Sequence, residues 1–220
     1  MNRILRAAPG WEEAVADAVA RSARPIRGDD RIWPRDAQGR TNRDRYDRAG
    51  FPPARQASTL LALYPGEDGG LVVPLTVRRD ELRAHAGEVS LPGGAVDRAD
   101  ANREAAALRE AWEEIGLEPN LVRMAGALDD IWIPVSNFDL RPFVGTVSAR
   151  PALTPQDAEV AAIVELPLAA LYEESAFGVE ELEVRGLRLR AGVYRHAGLR
   201  IWGATAGTLG MLAAVLAAGD

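Results

Sequence analysis

Residues 93–117 read GGAVDRADANREAAALREAWEEIGL, and the reading of this stretch decides the fold. Its core is Arg109-Glu110-Ala111-Trp112-Glu113-Glu114-Ile115-Gly116-Leu117. Residues 102–115 are expected to form a helix, with Gly116 placed to stop it in a left-handed conformation. On such a helix Glu110, Glu113 and Glu114 stand at i, i+3 and i+4, so their carboxylates point to one side. Like charges so placed repel one another by a few tenths of a kcal/mol per pair. A solvated acidic face is one outcome; a hard divalent cation held by oxygen ligands is the other. The Pro92-Gly93-Gly94 turn ahead of the helix lets backbone carbonyls approach an ion closely.

Working outward, residues 58–64 (STLLALY) and 71–77 (LVVPLTV) are strand candidates. The turn-forming run Pro65-Gly66-Glu67-Asp68-Gly69-Gly70 joins them. Residues 143–147 and 161–166 are later strands, and 182–189 with 192–196 suggest another hairpin. A helix over 209–216 closes the chain. At the other end, residues 11–21 (WEEAVADAVAR) space Val15 and Val19 like one short amphipathic helix. Residues 22–55 are rich in Arg and Asp, with several Gly and Pro and little periodicity. They read as a polar linker, or as an arm facing phosphate or the partner copy of a homodimer. No internal repeat is present.

Composition narrows the chemistry. At 220 residues the expected organisation is an N-terminal extension (1–54) followed by one domain (55–220). The count of Cys is 0, which removes disulfides, thiolate zinc sites and cysteine nucleophiles together. All 26 cationic side chains are Arg, so no Schiff-base lysine is available. A net charge of -6 argues against nonspecific nucleic-acid binding. Met1 to Leu5 is not followed by an apolar core with a cleavage site, so a cytoplasmic protein is expected. Residues 201–219 are uncharged and approach bilayer length. They are mostly Ala, Gly and Thr, with a central Gly210 and no basic flank. A terminal helix packed on the domain, capped by Thr205 or Thr208, is expected rather than a membrane span.

The 93–117 stretch resembles the signature of the Nudix hydrolases, G-x5-E-x7-R-E-U-x-E-E-x-G-U, where U is a bulky aliphatic. Gly94 takes the leading glycine and Arg109-Glu110 the R-E pair. Glu113-Glu114-Ile115-Gly116-Leu117 completes the E-E-x-G-U end. There are two departures. Asp100 stands where the first Glu is expected, with eight residues instead of seven between it and Arg109. Ala111 fills the bulky position. The loop before the helix is therefore one residue longer, and Asp97 and Asp100 both qualify as the acid that pairs with Arg109.

Directly upstream lie Leu75-Thr76-Val77-Arg78, then Leu82-Arg83-Ala84-His85-Ala86-Gly87, then Ser90-Leu91-Pro92-Gly93-Gly94. This is similar to the extra signature of the coenzyme A pyrophosphatase branch of the family, with Leu91 in place of the more usual Phe. Arg78, Arg83 and His85 are fork-shaped or switchable donors suited to phosphate oxygens. Downstream, Leu153-Thr154-Pro155-Gln156-Asp157-Ala158-Glu159-Val160 resembles the L-T-P-x-x-x-E-V segment of that branch. Arg200-Ile201-Trp202-Gly203-Ala204-Thr205 resembles its R-I-W-G-A-T stretch. The resemblance covers about residues 55–217.

The resemblance implies an α+β fold, a Nudix-like α/β/α sandwich with a mixed sheet, whose strand–loop–helix unit at about 87–117 holds the metals. It implies Mg²⁺ or Mn²⁺ bound by the Gly93 carbonyl, Glu113 and Glu114, with Arg109 orienting the glutamates. Either Glu110 or Glu159 completes the metal set or deprotonates the attacking water, and the sequence leaves that choice open. Arg78, Arg83 and His85 would bind substrate. The implied reaction cleaves the pyrophosphate bond of coenzyme A or acyl-coenzyme A into 3′,5′-ADP and 4′-phosphopantetheine. Nucleoside triphosphates, nucleotide sugars and dinucleotides are alternative small-molecule substrates. A non-catalytic Nudix-fold binding protein is a further alternative, although such proteins usually lose the box glutamates. Neither nucleic acid nor membrane is an expected partner.

Overall fold

The computed structural model describes residues 4–26, 28–79, 88–156, 160–184 and 186–217. In chain order the elements are α1 (Trp11–Arg21), α2 (Asn42–Arg45), β1 (Arg55–Pro65), β2 (Leu71–Arg78), β3 (Val89–Ser90), β4 (Gly93–Ala95) and α3 (Arg103–Ile115). There follow β5 (Arg123–Ala127), β6 (Ile131–Ile133), β7 (Phe138–Thr146), β8 (Val160–Pro167), β9 (Phe177–Val184), β10 (Leu187–His196), β11 (Leu199–Ile201) and α4 (Gly203–Ala217).

Strand β1 organises the molecule. It runs parallel to β7 from Arg55↔Phe138 to Leu63↔Thr146. It also pairs antiparallel with β4 near its start and with β2 near its end. The main sheet is therefore mixed, with β3, β2, β1, β7 and β5 in order and β4, β6 and β8 joined to it. Successive side chains of a strand point to opposite faces, and in β1 both faces are covered. Leu60, Ala62 and Tyr64 pack with Ala107, Ala111 and Ile115 of α3. Leu61 and Leu63 pack with the buried residues of α1 and α4. Helices on both faces explain why β1 is a continuous apolar run rather than an alternating one. The result is the expected α/β/α layering around a mixed sheet. The polar run at 66–70 closes the β1–β2 hairpin, through Gly66 N–H to Gly70 O at 2.7 Å and a left-handed Gly69.

Three expectations are corrected. The 182–189 stretch is not one strand of a hairpin but contains its turn, with Gly186 at φ 77 between β9 and β10. Helix α4 starts at Gly203, so Thr205 lies in its first turn and Thr208 is fully buried within it. Neither residue caps the helix. The Arg-rich segment is not a loose connection. Ile32 is buried against Gly210, where a Cβ would come within 2.4 Å of its Cδ1, and Trp33 covers Gly207. Small residues on α4 thus make the groove that receives residues 28–33. Nearby Asp side chains answer the arginines: Arg24 bonds Asp129, Arg31 bonds Asp29 and Arg40 bonds Asp36. Among the described residues no helix is long and apolar enough to cross a membrane.

Candidate metal and diphosphate site

Helix α3 is placed by both of its ends. The Asn102 side chain accepts from Ala105 N–H at 2.8 Å, the usual N-cap. Arg103 donates from one nitrogen to Ala57 O at 2.8 Å and Asp139 O at 2.7 Å, tying the first turn to β1 and β7. Gly116, at φ 70, ends the helix with its N–H on Trp112 O at 3.0 Å. Ala107, Ala111 and Ile115, four apart, form the buried stripe. Ala111 in the position where the signature has a bulky residue is fully enclosed, which brings the helix close to the sheet.

With that stripe facing the sheet, the carboxylates come to the edge where β4 passes. The Gly93 N–H donates to Glu114 Oε2 at 3.1 Å. A Cβ on Gly94 would lie 2.4 Å from Glu110 Oε1 and 2.7 Å from Oε2. A Cβ on Gly93 would lie 2.4 Å from the Ser58 carbonyl and 2.7 Å from Thr59 Cα. Gly93 is therefore required by its close approach to backbone, while Gly94 leaves the room in which the Glu110 carboxylate sits.

Arg109 links the site. It grips Asp100 with two bonds, Nε to Oδ1 at 3.0 Å and Nη2 to Oδ2 at 3.1 Å. Nη2 also reaches Ala95 O at 3.1 Å, and Nη1 donates to Glu110 at 3.0 Å and Glu113 at 2.8 Å. Of the two candidate acids, Asp100 is the partner of Arg109. The longer loop is absorbed in a turn in which Asp100 N–H meets Asp97 O and Asp97 N–H meets Asp100 Oδ2. The Arg109 bonds hold the Asp100 carboxyl below the usual aspartate range. Burial pushes the Glu110 carboxyl above its ordinary value, against the pull of Arg109.

Gly93, Arg109, Glu110, Glu113 and Glu114 are thus brought together. Among the described residues no three acidic or imidazole side chains already form a chelating group, and Arg109 Nη1 lies between Glu110 and Glu113. The donors fit a hard divalent cation, because all are oxygens and desolvation of Glu110 favours a positive neighbour. Arg78 ends β2 opposite Val160 and donates its N–H to Glu88 O at 3.0 Å. Arg83, His85 and Glu159 lie outside the described residues. One connection was not apparent from sequence: Thr154 N–H meets Ile115 O at 3.0 Å and Gln156 N–H meets Glu114 O at 3.1 Å. The L-T-P segment is bonded to the turn that carries Glu114.

A mixed sheet, a glycine-edged turn and a helix with an R-E-x-x-E-E row define a Nudix-type centre. The chain matches the NUDIX domain family over residues 54–183, and it belongs to the Nudix pyrophosphohydrolase family, whose members typically use a divalent metal. It is 37% identical over 159 residues to the "Uncharacterized Nudix hydrolase NudL" of Enterobacter sp. (strain 638), covering 72% of this chain and 81% of that protein. The protein of the same name from Cronobacter sakazakii (strain ATCC BAA-894) is similar to the same extent, 37% over 159 residues. Among solved structures, the NUDIX hydrolase from Alicyclobacillus acidocaldarius superposes with a TM-score of 0.50 at 19% identity, covering 76% of this chain and 93% of that one.

The two glycines give a paired prediction. Gly93→Ala meets backbone that cannot shift without opening the β1–β4 pairing. It should cost about 1–3 kcal/mol, and roughly 2–4 °C of melting temperature per kcal/mol. Gly94→Ala meets a side-chain end, so Glu110 swings away. Its kcat should fall about tenfold or more, ~1.4 kcal/mol per decade, with a smaller thermal shift. Thermal unfolding and initial rates of both variants check this. A Gly94→Ala enzyme with unchanged kcat would contradict the packing of Glu110 against Gly94.

Proposed function

We propose that this Nudix hydrolase cleaves the pyrophosphate linkage of coenzyme A or acyl-coenzyme A, releasing 3′,5′-ADP and 4′-phosphopantetheine. The observation that carries this reading is a contact between the two halves of the upstream motif. The Thr76 hydroxyl meets the Ser90 hydroxyl at 2.8 Å, which links the Leu75–Arg78 part of the motif to its Ser90–Gly94 part. The two ends of the motif are thus joined directly ahead of the Pro92-Gly93-Gly94 turn.

Mg²⁺ or Mn²⁺ bound by the Gly93 carbonyl, Glu110, Glu113 and Glu114 would neutralise the diphosphate and acidify the attacking water. Arg109 keeps Glu110 and Glu113 oriented while its own position is fixed by Asp100 and Ala95. The proton of the attacking water goes to Glu110 or Glu159; burial has already raised the proton affinity of Glu110. Arg78, Arg83 and His85 bind phosphate oxygens, and the 3′-phosphate of coenzyme A suits a guanidinium fork.

The test is a substrate panel of coenzyme A, nicotinamide and adenosine dinucleotides and nucleotide sugars, with Mg²⁺ or Mn²⁺. Coenzyme A should have the highest kcat/KM; a rank below the dinucleotides would defeat the substrate assignment. Arg83→Ala should raise KM for coenzyme A by about ten- to a hundredfold, the ~1.5–3 kcal/mol of one charge-assisted contact. The analogue lacking the 3′-phosphate should hardly change. Equal loss on both would assign Arg83 to the diphosphate or the loop.

A further inference from the structure

Beside the carboxylate helix, residues 150–153 and strand β8 border an open cleft of about 600 Å³ lined by Arg150, Pro151, Ala152, Leu153, Ile163 and Glu165. No role in the site above accounts for it. Its volume falls within the range of small-molecule pockets.

The cleft lies on the catalytic face of the sheet. Leu153 and Ile163 pack in the layer between α3 and the sheet, whereas Leu166 belongs to the opposite layer. Glu165 shares a strand face with Ile163, two residues away. One wall is continuous with Thr154 and Gln156, which bond the last turn of α3. The floor runs along β8 from Ile163 toward Val160, three residues or roughly 10 Å.

Its charge selects the ligand. Arg150 donates from Nε and Nη2 to the two oxygens of Glu165, at 3.1 and 2.9 Å, and from Nη1 to Glu67 at 2.7 Å. The Tyr64 hydroxyl donates to Glu165 Oε1 at 3.0 Å. The lining thus carries one guanidinium and one carboxylate bonded to each other, and with Arg150 also held by Glu67 no donor fork is left to take a phosphate. Glu165 Oε2 accepts only from Arg150 among these bonds and retains acceptor capacity for an amide N–H. The other lining side chains, Pro151, Ala152, Leu153 and Ile163, are apolar.

We propose that this cleft is the subsite for the uncharged, amide-bearing arm of the substrate, pantetheine in the case of coenzyme A. Glu165 accepts an amide N–H there, and the phosphoadenosine half lies outside. The inference rests on the coenzyme A reading.

The test separates the two product halves as inhibitors. Ala152 is exposed, so Ala152→Trp fills the mouth of the cleft without disturbing the core. In this variant inhibition by 4′-phosphopantetheine should weaken at least about tenfold, with KM for coenzyme A rising in step, at ~1.4 kcal/mol per decade. Inhibition by 3′,5′-ADP should stay within about twofold. In the wild-type enzyme, pantetheine without its phosphate should inhibit competitively, a measurement that needs no variant. Equal weakening of both halves, weakening of 3′,5′-ADP alone, or no competition by pantetheine would overturn the subsite while coenzyme A hydrolysis stands. A wild-type enzyme that hydrolyses dinucleotides but not coenzyme A would overturn the substrate reading, and the subsite with it.

Discussion

Glu114→Gln is expected to lower kcat by at least ~10²-fold, about 2.7 kcal/mol, while leaving the fold intact. The structural reason is that an amide can replace what Glu114 does for the backbone but not for charge. Its Oε2 accepts the Gly93 N–H, and a glutamine carbonyl oxygen accepts the same bond. Its main-chain oxygen accepts from Gln156 whatever the side chain. Melting temperature should therefore move little. The anionic oxygen needed by a hard cation is lost, and the diphosphate then keeps the charge that repels an attacking water. A chelator should abolish wild-type activity for the same reason, and added Mg²⁺ or Mn²⁺ should restore it. Single-turnover rates with and without metal check both results. A Glu114→Gln enzyme within a few-fold of wild type would remove the metal role from this helix.

The parts of the molecule that were legible in sequence are those where local chemistry and tertiary packing demand the same residue. Gly116 ends α3 because the left-handed cap at φ 70 favours a glycine, and the Gln156 side-chain nitrogen packs over it, 2.5 Å from where a Cβ would lie. The strands β1 and β2 were readable because they are apolar on both faces, and 11–21 because Val15 and Val19 keep helical spacing. The choice between Asp97 and Asp100 was not readable. Both lie within reach of Arg109 along the chain, and only the turn that folds Asp97 N–H onto Asp100 Oδ2 decides it. The packing of residues 28–33 on α4 was equally hidden, since small residues at 207 and 210 carry no periodic signal of a groove. The 150–153 cleft depends on Arg150 and Leu153 meeting Ile163 and Glu165 of β8, side chains of two separate segments that share no motif.

Arg109→Ala is expected to be the most destabilising change in the site as well as a strongly inactivating one. The Asp100 side chain is 4% exposed and loses both of its guanidinium bonds. Arg109 is itself 25% exposed, so the pair is partly buried and removing one partner should cost about 2–4 kcal/mol, less than for a fully buried pair. At roughly 2–4 °C per kcal/mol for a chain of this size, the melting temperature should fall by about 4–16 °C. The pH dependence follows from Asp100, whose folded-state proton affinity is held below the usual value by Arg109. A carboxyl with a lowered folded pKa contributes stability above its unfolded value, about pH 4, and loses it as pH falls through the lower folded value. The gap between wild type and Arg109→Ala should thus be constant from about pH 5 upward and narrow below about pH 4. Asp100→Asn should remove part of the same interaction, so the double variant should be less destabilised than the sum of the singles. Denaturant unfolding of the four proteins at pH 7 and pH 3.5 measures this. Additive losses, or a gap that widens in acid, would show that Asp100 is not what holds Arg109, and the carboxylates would then owe their arrangement to Ala95 and to one another.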